Sequence, residues 1–268
     1  MMTPGLLPLN PSILWRVAWR SFFLQVCWNF HKMQNLGFAY ALTPVIRSLY
    51  PSRLTRAKAV RRHLEFFVSH PYCAAIILGV VARLEAQAVA AGELNSTEAN
   101  RIKVSMMGPL AALGDTLFWA TLKPFLALLG SVWILLAWSR GSEWDWLGPV
   151  FFLVVFTVFH LGVRLGGLWF GYTRGLEIIR DLRRLNPQRL AQQLGLFTAL
   201  AAATTAAVFY QQRTGAGFGA GGRNLSTALL AALSVLTVVG LRRGISVSRM
   251  VFLLAGVAVL AAYFLKLG

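Results

Sequence analysis

The sequence predicts an all-α integral membrane protein, with interfacial and re-entrant helices in its N-terminal half and about five transmembrane helices after them. Three observations carry that expectation. Charged residues make up only 13% of the chain, well below the roughly 25% of an ordinary soluble domain. Hydrophobic residues make up 57%, and mean hydropathy is +0.61. Several apolar runs approach the roughly 20 residues that a helix needs to cross a bilayer. The net charge of +17 could suit nucleic acid. The apolar content instead points to a basic membrane protein with its Lys and Arg facing cytoplasm and anionic lipid, and to no nucleic-acid partner.

The elements follow in order along the chain, with residues 1–116 read as an amphipathic and re-entrant helical region and 117–268 as a transmembrane region. The opening "MMTPGLLPLNPSILWR" has neither the charged region nor the cleavage site of a signal peptide. "WRVAWRSFFLQVCWNFHKMQ" carries Arg16, Arg20 and Lys32 against a large apolar side, which suits an interfacial amphipathic helix. "PYCAAIILGVVARLEAQAVAAG" is too polar to face lipid and too apolar for water. Such segments, broken by "SHP" and "GP", predict re-entrant hairpins, which are tolerated at membrane depth only when buried in protein or lining a cavity. Apolar spans are expected at 117–138, 147–170, 195–211, 225–241 and 250–267.

Loop charge orients these spans. Lys/Arg counts run one in 139–146, five in 171–194, two in 212–224 and three in 242–249. The positive-inside rule then places the N-terminal region in the cytoplasm and the C-terminus outside. Trp133, Trp138, Trp144 and Trp146 are expected in an interfacial belt around the outer loop. Cys27 and Cys73 have no metal spacing and read as small buried hydrophobes.

Four blocks carry a resemblance. "CWNFHKMQNLGFAYALTPVIRSLYP", "AVRRHLEFFVSHPYCAAIILGVVARLEAQ", "IKVSMMGPLAALGDTLFWATLKPFLALLG" and "VRLGGLWFGYTRGLEIIRDL" resemble the membrane subunit IID of the mannose/fructose/sorbose family of sugar phosphotransferase systems. The resemblance implies a partner, the IIC membrane subunit, with which IID forms the path for a mannose-type hexose. It also implies IIA and IIB, cytoplasmic subunits that relay phosphate from phosphoenolpyruvate, and a hetero-oligomer in the bacterial inner membrane. It implies no catalytic or phosphorylated residue and no cofactor on this chain. The alternative is a membrane scaffold or sensor that keeps the fold without transport, and a self-contained permease ranks last. The chain departs from the family at His31, where an acidic residue is common, at His70, where an amide is common, and in the shortened Gly-rich stretch around 211–224.

Sugars are held by amides and carboxylates with aromatic faces against the ring, so the candidates for a sugar path are Asn29, Gln34, Asn35, Glu65, His70, Glu85, Gln87 and Asp115. Trp28, Phe30 and Trp119 could supply rings. Each candidate also has a structural reading. Asp115 could only cap a helix starting near Thr116, after a break at Gly108, Pro109 and Gly114. Glu65 could pair with Arg61 or Arg62. Glu85 needs a partner at membrane depth, with Arg83 and Arg164 as candidates. The three amides could simply satisfy backbone groups. His160 is expected as a hydrogen-bonded packing residue, and no His pair has metal-ligand spacing. Arg180, Arg183, Arg184 and Arg189 could attract lipid or dock phospho-IIB.

Overall fold

The computed structural model describes residues 8–94 and 97–184, with a few isolated positions beyond. Among the described residues it is helical, without a strand: α1 (Pro11–Ser21), α2 (Asn35–Leu49), α3 (Arg53–His63), α4 (Ala74–Ala90), α5 (Glu98–Gly114), a π-helix (Asp115–Leu122), α6 (Lys123–Ser139), α7 (Leu147–Arg174) and α8 (Glu177–Arg184). The expected spans at 195–211, 225–241 and 250–267, the 211–224 stretch and Arg189 lie outside the described residues.

Two compact units are present, Met1–Lys123 with Val154–Ala191, and Pro124–Leu153 with Gln192–Gly268. The first holds both clusters discussed below. In the second, the described residues form a hairpin of the later α6 and the start of α7. Its backbones approach closely, since a Cβ on Gly148 would fall 2.4 Å from the Gly130 carbonyl oxygen. Trp133 Nε1 donates to the Trp144 carbonyl at 2.8 Å. Trp133, Trp138, Trp144 and Trp146 are all exposed, as an interfacial belt requires.

The first unit begins with a well-signalled helix. Asn10 accepts a hydrogen bond from the Ser12 amide, and Pro11 occupies the first turn, where its missing N–H costs nothing. Leu14, Val17, Ala18 and Ser21 form the buried stripe of α1, while Trp15 and Trp19 stay exposed. The amphipathic helix is shorter than expected, because 22–34 forms turns that bury Leu24 and leave Cys27 exposed. Pro44 sits inside α2 and cannot donate to the Tyr40 carbonyl. The Arg20 guanidinium takes that oxygen at 3.3 Å and lies 4.7 Å from the Tyr40 ring centroid.

Glycine spacing fixes α4 against α7. A Cβ on Gly79 would lie 2.2 Å from the Leu168 carbonyl oxygen, and one on Gly171 would lie 2.5 Å from that of Ile76. Small residues on both faces let the two backbones touch, as in membrane helix pairs. This explains the "LGGLWFGYTRG" pattern in physical terms.

The break expected at Gly108, Pro109 and Gly114 does not occur. Glu98–Ser139 is one helical run of 42 residues, and Trp144–Arg174 is another of 31; both are long and apolar enough to cross a membrane. Pro109 is absorbed within the helix, and the chain widens into π turns from Asp115. Apolar helices take up proline through such local adjustments. Asp115 is therefore no N-cap: it continues an existing helix, and its carboxylate is exposed.

Candidate functional site

Three polar groupings receive the sequence candidates, and each is built from a different part of the first unit.

The amides form a knot between α1 and α2. Asn29 and Met33 pair through their backbones at 2.9 and 3.1 Å. Asn29 Nδ2 donates to Asn35 Oδ1 at 2.9 Å, and Asn35 Nδ2 donates to the Leu64 carbonyl at 2.7 Å. Gln34 donates its backbone N–H to the Phe67 carbonyl, and its Oε1 accepts from the Ser69 amide at 3.1 Å. Met33 adopts a positive φ of 56°, which bends the chain so that these pairings close. The three amides thus tie the 22–34 turns to the 64–69 connection and serve backbone groups.

Glu85, 1% exposed, anchors the second grouping. Its carboxylate accepts from Tyr50 Oη, from Arg62 Nη2 at 3.1 Å and from His63 Nε2 at 2.8 Å. Neither expected partner is used. Arg83 donates to the Tyr172 and Thr173 carbonyls at the end of α7, and Arg164 Nη1 donates to Ser21 Oγ at 3.2 Å. Arg62 is thereby unavailable to Glu65, which accepts from Asn100 Nδ2 instead. Burial pushes the His63 imidazole below its ordinary pKa, despite the adjacent carboxylate. Burial and the Glu85 charge raise the Tyr50 phenol, so it stays a neutral donor. Lys103 packs nearby, fully buried, with Nζ 5.5 Å from the Phe38 ring centroid. This is an ionic core linking α2, α3 and α4, in which Arg62 Nε, His63 Nδ1 and Lys103 Nζ have no hydrogen-bond partner among the described residues.

The third grouping is an aromatic chamber around His70, which is 2% exposed. Its ring stacks on Phe118 at 5.2 Å and meets Tyr72 edge-on at 4.9 Å and Trp119 at 5.8 Å. Phe156 and His160 of α7 complete the wall, with His160 4.7 Å from Tyr72. Gly114 is required here, because a Cβ there would sit 2.3 Å from the His70 side chain. Arg164, 4% exposed, lies 4.4 Å from the Phe22 centroid and 5.5 Å from that of Tyr72. Burial pushes His70 down to about 4, with Asp115 acting in the opposite sense and Arg164 in the same one. The imidazole is therefore neutral near pH 7. Nδ1 accepts from the Tyr72 amide at 3.4 Å, which leaves the proton on Nε2.

The chamber holds unused hydrogen-bonding capacity, as the core does at Arg62 Nε, His63 Nδ1 and Lys103 Nζ, but with no carboxylate bonded to it. His70 Nε2, His160 Nδ1 and Arg164 Nε are buried and have no hydrogen-bond partner among the described residues. His160 packs in the chamber wall one helical turn from the Phe156 backbone group that hydrogen-bonds it. Buried polar atoms are ordinarily paired, so a cluster of three needs an explanation. The sequence pointed to His70, Asp115 and Trp119 but not to Tyr72, Phe118, Phe156 or Arg164 as wall residues. Their signal, aromatics and one Arg inside apolar helices, is visible only once the helices are assembled. Gln87 lies half-buried on α4, outside both clusters.

Comparison with known proteins places this geometry. Residues 8–266 match the family described as the mannose/fructose/sorbose family IID component of the phosphotransferase system. The mannose-specific EIID component of Escherichia coli is 42% identical over 193 residues, covering 70% of this chain and 66% of that protein. The fructose permease IID component of Bacillus subtilis is 35% identical over 181 residues, covering 66% of this chain and 63% of that one. The chain thus spans just under two thirds of the length of these curated relatives. A chain from the solved complex of the mannose transporter ManYZ with a microcin is similar at a TM-score of 0.57 and 31% identity, covering 97% of this chain and 98% of that one.

Proposed function

The chain belongs to the IID components of the mannose/fructose/sorbose family of phosphotransferase systems, and on that premise we propose that it forms, with a IIC subunit, the membrane path for a mannose-type hexose. Members of this family are membrane proteins, and the two long apolar helical runs agree. In our reading the complex sits in the bacterial inner membrane, with the N-terminal region cytoplasmic, the C-terminus outside and about five spans in all. IIA and IIB hand phosphate to the sugar as it arrives, which traps it inside. The similarity to a ManYZ chain supports the pairing with IIC.

The observation that carries the sugar path is the His70 chamber, with three unpaired nitrogens set among aromatic rings. Pyranoses need both features: hydroxyls take up directional donors and acceptors, and the C–H face lies on an aromatic ring. Desolvated polar groups aimed into an apolar pocket give strong discrimination, because a ligand lacking the matching hydroxyl leaves them unpaired. Asp115 and Trp119 stand at the exposed side of the chamber and form its entrance in this reading. The amide knot and the Glu85 core hold the 64–73 connection that presents His70. The direct sugar roles considered for Asn29, Gln34, Asn35, Glu65 and Glu85 thereby become positioning roles.

The test is phosphoenolpyruvate-driven uptake of a hexose panel by vesicles containing cognate IIC, IIA and IIB, with this chain as wild type, His70→Ala or Arg164→Met. Uptake is expected only with the chain present, and at least a tenfold loss is expected in both variants while they still co-purify with IIC, as for removal of a hydrogen bond to a charged or fully desolvated group of about 1.5–3 kcal/mol. Unchanged uptake in both variants would remove the chamber from the path. No uptake of any hexose by a stable wild-type complex would overturn transport in favour of the scaffold or sensor.

A further inference from the structure

We propose that the groove between α2 and α3 is a binding site for the phosphate headgroup of an anionic phospholipid. The cavity there has a volume of about 460 Å³, within the range of small-ligand sites. Arg47 of α2 and Arg53, Arg56 and Arg61 of α3 line it. The α3 sequence "RLTRAKAVRRH" contains no acidic residue, and the whole chain has only nine.

None of the four arginines is neutralised. Among the described residues, which include all nine acids, the carboxylate nearest in sequence that meets an α3 arginine is Glu85, and it is held by Arg62. Arg56 Nε is occupied by the Tyr50 carbonyl at 2.6 Å, a bond that fixes this arginine at the groove. Arg47, Arg53 and Arg61 are exposed and make no ion pair. Several like charges around one concavity repel one another and favour an anion there. Guanidinium forks match the oxygens of a phosphate in particular.

The floor selects among phosphates. Ile46, Val60 and Leu64 supply it, with Ala57 at the side. Its one hydroxyl, on Thr43, is already spent on the Ala39 carbonyl at 2.9 Å. A sugar phosphate would bring further hydroxyls against this apolar floor, and a free phosphate would leave it uncovered. A phosphodiester attached to glycerol esters and acyl chains would place its charge on the arginines and its apolar part on the floor. The surroundings fit a lipid surface too, with Leu54 of α3 two-thirds exposed beside the arginines.

The experiment uses the full chain purified with its IIC partner, and its readout is independent of sugar. Native mass spectrometry would follow retained lipid after exchange into mixtures of phosphatidylglycerol and phosphatidylcholine. The wild type should retain phosphatidylglycerol selectively. The variant R47Q/R53Q/R61Q should lose it by about a hundredfold in affinity, given roughly 1 kcal/mol per basic residue near an anionic lipid. R101Q, which removes an exposed charge on α5, should not. Equal retention of the two lipids by the wild type, or equal loss in both variants, would overturn the proposal. So would full displacement of the lipid by millimolar inorganic phosphate, which would assign the groove to a free anion.

Discussion

The Glu85 core and the His70 chamber bury similar chemistry, but only the core gathers it around a carboxylate. Each contains a histidine, a tyrosine and an arginine. In the core, one carboxylate receives all three, with Arg62 and His63 at 3.1 and 2.8 Å and Tyr50 completing the shell. In the chamber, Arg164 has no carboxylate and lies over the Tyr72 ring; each grouping also leaves three buried nitrogens without a hydrogen-bond partner among the described residues. A buried charge with its counter-charge has no use for a ligand. A buried charge without one is costly, and the cost is recovered when something binds. In our proposal the first arrangement specifies the fold and the second prepares a site.

That contrast can be broken or sharpened by experiment. The largest effect belongs to the core. Glu85→Ala strands Arg62, His63 and Tyr50 together, and should destabilise the protein by about 3–5 kcal/mol, as removal of one partner from a buried pair does. Thermal unfolding in detergent would register it, and a wild-type melting temperature in this variant would mean that the core does not hold the fold.

The core should also contribute acid sensitivity, as should His70, which burial likewise holds below its ordinary value. His63 titrates below its ordinary value of 6.5 in the folded state, because burial opposes its charge. The unfolded chain then binds more protons, so this contribution is complete above pH 6.5 and is lost as pH falls below it. Melting temperature should decline through that window in the wild type and decline less in His63→Gln. Parallel profiles would place the acid sensitivity elsewhere.

The smallest effect is expected at Asp115→Asn. The carboxylate is exposed and caps nothing, so stability should move by no more than about 0.5 kcal/mol. A loss of more than about 1 kcal/mol, the usual value of a cap, would restore the capping role.

Much of the local architecture was legible. The two long apolar helices follow from hydropathy; the Asn10–Pro11 start of α1 is a capping signal that the sequence reading passed over. Gly167 and Gly171 were part of a recognisable segment, and their spacing of four places them on one face of α7, while Gly175 turns the chain just after it. The amides of "WNFHKMQN" were correctly suspected of serving backbone groups. Other expectations failed where local signals competed. Gly-Pro before Asp115 reads as a break followed by a cap, yet an apolar helix had no better way to satisfy its backbone than to continue through π turns.

The sequence by itself determined the membrane class, the family and the two long apolar helices, because composition and period act over a few neighbouring residues. Only the tertiary structure decided the partners. Glu85 meets Tyr50, 35 positions away, rather than Arg83 beside it, since helix direction sends residues two apart to different faces. His70 joins Phe118, Phe156, His160 and Arg164 because Gly114 admits its ring and the Gly79–Gly171 approach brings α7 against α4. Which buried atoms end paired and which end waiting is a property of packing, and no window of sequence contains it.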